Sequence, residues 1–141
     1  MKRILSLALV CVLLLGCVFA LASCGGPNKD PEKAAKALED AGYEVDCDVL
    51  DEATKDGIYA YVEAYLGDPE ELDDDEKFNF IEIYYFEDAE SAKEAFKDEE
   101  MQEYFEEFKE EVEDDFDVEV IIEQSGKMIY IGTKAAIKAA K

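Results

Sequence analysis

The sequence predicts one α+β domain: an antiparallel sheet of about five strands with helices on one face, in two layers. Three observations predict it. Apolar and polar residues alternate along several short stretches of the 141-residue chain, which is the period of a half-buried strand. Other stretches repeat apolar residues at three- and four-residue spacing, which is the period of a helix. The predicted elements follow in the order α-β-β, β, α-β-β, and this order favours an antiparallel sheet.

The first half of the domain predicts one helix and then two strands. Asp30-Pro31-Glu32 opens the helix with an N-cap, a proline at the first helical position and an acid in the first turn. Gly42 is typical of the residue just beyond a helix end. Tyr43 to Leu50 and Ile58 to Leu66 then alternate as strands, with a turn between them.

The second half predicts a central strand, a long helical stretch, a hairpin and a short helix. The apolar stripe of the long stretch begins after Asp88 and slips by one residue around Asp98-Glu99-Glu100, which predicts a bend or a break there. Apolar residues on both faces of the third strand indicate a central position. The predicted strands are Phe78 to Phe86, Phe116 to Gln124 and Met128 to Ile131, and the last helix is Lys134 to Lys141.

A duplication of an α-β-β unit is also predicted. Each half contains a helix, then an alternating strand, then a hairpin strand led by glycine. The matching strands read Tyr43-Glu-Val-Asp-Cys-Asp-Val and Phe116-Asp-Val-Glu-Val-Ile-Ile. The likeness is one of pattern more than of identity.

The N-terminal segment is typical of an export signal. Met1-Lys2-Arg3 is basic, and the 19 residues from Ile4 to Ala22 carry no charge. Leu21-Ala22-Ser23-Cys24 resembles the bacterial lipobox. The resemblance implies diacylglyceryl transfer to the Cys24 sulfur and cleavage before that residue. The alternative is a transmembrane helix, since 19 residues just suffice to span a bilayer.

The resemblance implies three segments and an address. Residues 1–23 are a signal peptide, residues 24–30 hold the lipidated cysteine and a short tether, and residues 31–141 form one acidic domain. The protein is expected on the outer, extracytoplasmic surface of a bacterial cell membrane, held by the lipid on Cys24. Phe86-Glu-Asp-Ala-Glu-Ser-Ala-Lys and Ile131-Gly-Thr-Lys-Ala-Ala-Ile-Lys are similar to stretches of small uncharacterised lipoproteins of Gram-positive bacteria. That similarity implies no activity.

Charge excludes several classes of function. The net charge is −23, and it becomes −25 when Lys2 and Arg3 leave with the signal peptide. Nucleic-acid binding requires a basic surface, so no nucleic-acid partner is expected. The chain has no histidine, which removes the usual base of hydrolytic triads. We expect no enzyme and no cofactor, with a carboxylate-based hydrolase as the exception of lowest rank.

One acidic segment raises the question of metal binding. The segment from Gly67 to Glu76 holds seven acids, and Asp73, Asp74, Asp75 and Glu76 are weak candidates for calcium ligands. An EF-hand spacing and its internal glycine are missing, which favours a solvated acidic loop.

Cys47, between two aspartates, is the one cysteine that is neither in the signal peptide nor lipidated, and we expect it to be a buried apolar residue.

An aromatic surface is the candidate ligand-binding site. If the aliphatic residues of the second and third strands face the helices, their aromatic residues share the opposite face. The candidates are Tyr59, Tyr61, Tyr65, Phe78, Phe80 and Tyr84. Such a patch is typical of a surface that binds a partner. The alternatives are a second core, covered by the last helix or by the Phe105-Phe108 part of the long helix, and a homodimer interface.

These observations favour a membrane-anchored, non-catalytic module that binds a protein, peptide or glycan ligand through the aromatic face. Its acidic surface favours cationic partners. One alternative is a structural or accessory subunit that self-associates within a membrane complex. Another is a lipoprotein that binds calcium weakly.

Overall fold

A computed structural model describes residues 26–67 and 78–141. The export segment, the lipobox cysteine Cys24 and the acidic candidates Asp73, Asp74, Asp75 and Glu76 lie outside these ranges. Among the helices that are described, none is both long and apolar enough to cross a bilayer.

Four helices and five strands make up the described part of the chain. In order they are α1 (Pro31–Asp40), β1 (Glu44–Val49), β2 (Ile58–Leu66), β3 (Asn79–Phe86), α2 (Ala89–Lys97), α3 (Glu99–Phe116), β4 (Val120–Ser125), β5 (Met128–Thr133) and α4 (Lys134–Ala139). The strands form one sheet in the order β1-β2-β3-β5-β4, and every neighbouring pair is antiparallel. The α+β class, the five-stranded antiparallel sheet and the central place of β3 are therefore confirmed.

Helices pack against both faces of the sheet, which corrects the expectation of two layers with helices on one face. On one face, Leu38 of α1 and Ile137 of α4 share a core with Ile83 of β3. On the other face, Phe105 of α3 shares a second core with Phe86 of the same strand. The reason lies in β3 and β5, which are apolar on both sides and gain from burial on both.

The predicted break in the long helical stretch is confirmed at Asp98. This residue is extended (φ −62°, ψ 132°) and separates α2 from α3. Its Oδ1 accepts hydrogen bonds from the backbone N–H groups of Glu100 and Met101, so it is also the N-cap of α3. The apolar stripes of the two helices can therefore face the same side of the sheet despite the five-residue step between them.

Phe116 ends α3 instead of opening β4, which corrects its predicted place in a strand. Its ring packs on Phe78, with 4.6 Å between the centroids. Asp117 then adopts a left-handed conformation (φ 49°) that terminates the helix. The side chain of Glu113 accepts a hydrogen bond from the N–H of Val120 and ties the end of α3 to the start of β4.

The two α-β-β arms lie on either side of β3. The hairpin β1-β2 flanks it on one side and β5-β4 on the other, while α1 and α3 cover opposite faces. Such an arrangement does not itself establish a duplicated sequence, and the duplication stays a prediction.

Candidate functional site

Helix α3 covers much of the predicted aromatic face. Phe105, only 1% exposed, meets Tyr84 edge-on with 6.2 Å between the ring centroids. Phe108 meets Phe80 in the same way at 5.4 Å. The aromatic side chains of β3 on this face therefore belong to a second core. This is the alternative in which the Phe105-Phe108 part of the long helix covers the aromatic face.

Five of the six predicted aromatic residues come together on this face. Tyr61, Tyr65, Phe80 and Tyr84 alternate with the residues that enter the other core. Phe78 precedes β3 and stacks on Phe80 at 5.7 Å. Tyr59 packs instead in the first core against Tyr85, because the register of β2 shifts between Ile58 and Ala60.

Three carboxylates cross the sheet in one line on the same face. Asp46 of β1 is paired with Glu63 of β2, which is paired with Glu82 of β3. We call these three residues the carboxylate row. Like charges directly opposite each other on neighbouring strands destabilise a sheet, so the row costs the domain stability.

A cleft opens where α3 leaves the sheet uncovered, beside the carboxylate row. Its volume is about 580 Å³, and its side walls combine aromatic rings with carboxylates. The aromatic residues are Tyr65, Phe78, Phe80 and Phe108, and the acids are Glu44, Glu63 and Glu82. Gly67 and Phe78, the residues on either side of the acidic segment 68–77, also line it. The cleft thus offers apolar contact area inside a strongly negative setting.

Glu82 is the most unusual residue of the cleft. It is only 7% exposed, and its Oε2 accepts a hydrogen bond of 2.9 Å from the hydroxyl of Tyr84. Burial raises the pKa of its carboxyl group; hydrogen bonds from Tyr84 and Tyr104 oppose the rise, and the charge of Glu63 adds to it. A cation in the cleft would favour the ionised form that burial disfavours.

Replacing Glu82 with glutamine should stabilise the domain in a pH-dependent way. The folded-state pKa of Glu82 lies above its unfolded value, so its ionisation opposes folding as pH rises beyond the unfolded pKa of about 4.3. Glu82→Gln should therefore be more stable than the wild type at pH 7, and the gain should shrink toward pH 4. Urea unfolding across this pH range measures the difference. Glu106→Gln removes the same charge from the exposed side of α3 and is the control. An equal gain at pH 7 and at pH 4 would contradict the assignment.

The arrangement is suited to binding more than to reaction chemistry. Burial raises the pKa of Tyr61 and Tyr84, which keeps both phenols neutral as hydrogen-bond donors. Burial also raises the pKa of the half-buried Cys47 thiol, with nearby carboxylates such as Glu32 adding to the effect, and this disfavours a reactive thiolate. In residues 26–67 and 78–141, no three acidic or cysteine side chains are grouped so that they could hold a metal ion.

The sequence did not single out the acids of the cleft (Glu44, Glu63 and Glu82) or Phe108 as site residues. Glu82 had a usable signal, since it is the one acid within the apolar strand β3. Phe108 had none, because the stripe of an amphipathic helix shows which residues face inward and not which of them border an opening. Comparison with protein-family models, curated proteins and solved structures finds no match to this chain. The function must therefore be argued from the cleft itself.

Proposed function

We propose that the protein is a lipid-anchored, extracytoplasmic, non-catalytic module that binds cationic segments of peptides or proteins in the cleft. The anchor is the lipid on Cys24, as the lipobox resemblance implies. The cleft supports the binding part of the proposal because it pairs exposed carboxylates with aromatic rings. Ammonium and guanidinium groups are stabilised by both, through charge and through contact with ring faces.

The observation that carries the proposal is the cost of the carboxylate row. Asp46 lies directly opposite Glu63, and Glu63 lies directly opposite Glu82. Of the three, Glu82 is also buried. Replacing one acid of each pair would raise the stability of the sheet, so selection for stability alone does not explain why the acids are present. A cationic ligand would offset their repulsion, so the destabilising feature becomes favourable only in the bound state.

Calorimetric titration with a tetralysine peptide tests the ligand class. We expect saturable binding that Glu82→Gln weakens about tenfold, since a hydrogen-bonded charge pair contributes about 1.5–3 kcal/mol. Glu106→Gln, with the same charge change on the outer side of α3, should alter the affinity less than about twofold. Because Glu82→Gln should stabilise the fold, weaker binding cannot be a result of unfolding.

Two results would overturn the ligand class. One is equal weakening by Glu82→Gln and Glu106→Gln, which would indicate attraction to the overall charge only. The other is tight binding of a neutral oligosaccharide that is unaffected by Glu82→Gln.

The anchor has its own test. The intact mass of the protein extracted from membranes should show a diacylglyceryl group on a chain that begins at Cys24, and Cys24→Ser should abolish both the added mass and the cleavage before residue 24. A full-length mass that includes residues 1–23 would instead support the transmembrane alternative.

Self-association is the second candidate function. Val49 and Leu50, at the end of the edge strand β1, are 53% and 42% exposed. Apolar side chains beside an open sheet edge favour pairing with a second copy. Light scattering of residues 25–141 distinguishes the candidates, because a dimer that Val49→Lys separates would support this one. Weak calcium binding by the acidic segment stays a prediction.

A further inference from the structure

Residues 26–28, between the lipobox and the first helix, are fixed to the domain surface. Pro27 is buried, and the N–H of Asn28 donates a hydrogen bond of 2.7 Å to the carbonyl of Ala140. The carbonyl of Asn28 accepts a second bond, of 2.8 Å, from the hydroxyl of Tyr85. Residues 26–28, which the sequence placed within a short tether, therefore lie against the C-terminal end of α4.

This attachment limits how far the domain can stand from the bilayer. Cys24 precedes Gly26 by two residues and Asn28 by four, which a chain can extend to roughly 7 Å and 14 Å. The Debye length at physiological ionic strength is about 8 Å. If Cys24 carries the lipid, charges at the end of α4 lie close enough to the headgroups to interact with them.

The exposed side of α4 is basic. Lys134 and Lys138 are spaced at i and i+4 and share one face of α4, Lys141 follows two residues after the helix ends, and all three are exposed. We call this surface the lysine face. In the part of the chain that the structure describes, none of the three forms an ion pair. Ser125 to Lys141 contains no acidic residue, in a chain with 37 acids.

The long helix on the opposite face of the sheet has the opposite character. Helix α3, on the other side of the sheet, carries ten acidic residues and one lysine. Helix α1 lies beside α4 but mixes both signs, and pairs Lys33 with Asp30 at 3.9 Å and Lys36 with Asp40 at 3.6 Å. Within residues 26–67 and 78–141, the lysine face thus lies next to the place where the chain enters from the lipobox.

We propose that the lysine face rests on anionic lipid headgroups and thereby orients the domain on the membrane. The inference rests on the proposed lipid anchor, which supplies the membrane affinity while the lysines set the orientation. The cleft lies on the opposite face of the sheet from α4, so this orientation directs it away from the bilayer. It also places the acidic helix α3 far from the anionic surface, where its repulsion is smallest.

Lysine acylation followed by mass spectrometry tests the orientation. The lipidated protein, taken from membranes, is placed in vesicles of phosphatidylcholine alone or with added phosphatidylglycerol. Lys134, Lys138 and Lys141 should be modified about five-fold more slowly in the anionic vesicles, and high salt should remove the protection. Lys93 and Lys97 on α2 are the internal controls and should react equally in both.

Glutamine variants separate anchoring from orientation. The triple variant Lys134→Gln, Lys138→Gln, Lys141→Gln should sediment with both vesicle types as the wild type does, since the lipid is unchanged. In the wild type, anionic vesicles should slow the hydrogen exchange of the α4 backbone amides. The triple variant should not show this slowing. The control triple variant Lys93→Gln, Lys97→Gln, Lys109→Gln should keep it.

The outcomes distinguish the two proposals. Absence of the diacylglyceryl group from the purified protein would overturn the anchor and the orientation together. A lipidated protein whose three lysines react equally in neutral and anionic vesicles would overturn the orientation alone and leave the anchor and the cleft in place.

Discussion

Phe105→Ala lowers the free energy of unfolding by about 3–5 kcal/mol, the usual cost of removing a buried phenylalanine. The side chain is 1% exposed and belongs to the core between α3 and the sheet, where its ring meets Tyr84. The loss combines apolar area returned to water with a cavity that the helix and the sheet cannot fully close. Urea unfolding followed by circular dichroism measures it.

Glu106→Ala is the control for this change. Glu106 follows Phe105 on the same helix and is exposed, so its removal should cost less than about 1 kcal/mol. Similar costs for the two variants would show that α3 does not lie against the sheet as described. The aromatic face would then be more open than the cleft alone.

Gly132→Ala should destabilise the protein by about 3 kcal/mol, although the change adds a single methyl group. Gly132 is paired with Ile81 in the centre of the sheet. A Cβ there would lie 2.6 Å from the carbonyl oxygen of Phe80 and 2.9 Å from the Cα of Ile81. Both atoms are backbone, so no rotamer change relieves the overlap and the two strands must move apart. The midpoint of urea unfolding should fall accordingly.

Gly126→Ala provides the comparison. Gly126 lies in the β4-β5 turn with φ 58°, and a Cβ there would meet nothing within 4 Å. Its cost should be limited to the left-handed conformation, about 1 kcal/mol. If Gly132→Ala proves as mild as Gly126→Ala, the close approach of β5 to β3 is wrong.

The local pattern of the sequence predicts most elements because each pattern depends on nearby residues. The alternation from Tyr43 to Leu50 and the slip at Asp98 each determine a feature within a few residues, and both features are present. Phe116 was misplaced because an apolar residue at the junction suits the last turn of a helix as well as the first position of a strand. The left-handed conformation of Asp117 ends the helix after Phe116. The sequence signals this conformation less strongly with aspartate than with glycine.

Long-range packing was less predictable. The two apolar faces of β3 indicated a central strand, but local pattern does not show which helix covers which face. The displacement of Tyr59 follows from one irregularity in the register of β2, and nothing in the alternation of that strand marks it. The cleft likewise depends on how Phe108 of α3 lies beside β2 and β3, which is a property of the assembled layers. The cost of burying Glu82 could be foreseen; its place in the cleft could not.

The charge distribution connects the proposals. The carboxylate row and the acids of α3 lie on one side of the sheet, and the lysine face lies on the other. A domain arranged in this way is drawn toward an anionic membrane on its basic side and toward cationic ligands on its acidic side. The proposed anchor and the proposed cleft thus favour the same orientation.

If the cleft is a specific site for cations, the acidic surface as a whole should not bind them in the same way. An NMR titration of residues 25–141 with tetralysine distinguishes the two surfaces, because each backbone amide reports separately. We expect saturable shifts concentrated at Tyr65, Phe80 and Phe108, with little change along the outer side of α3. Shifts that spread over the acids of α3 and rise without saturation would contradict it.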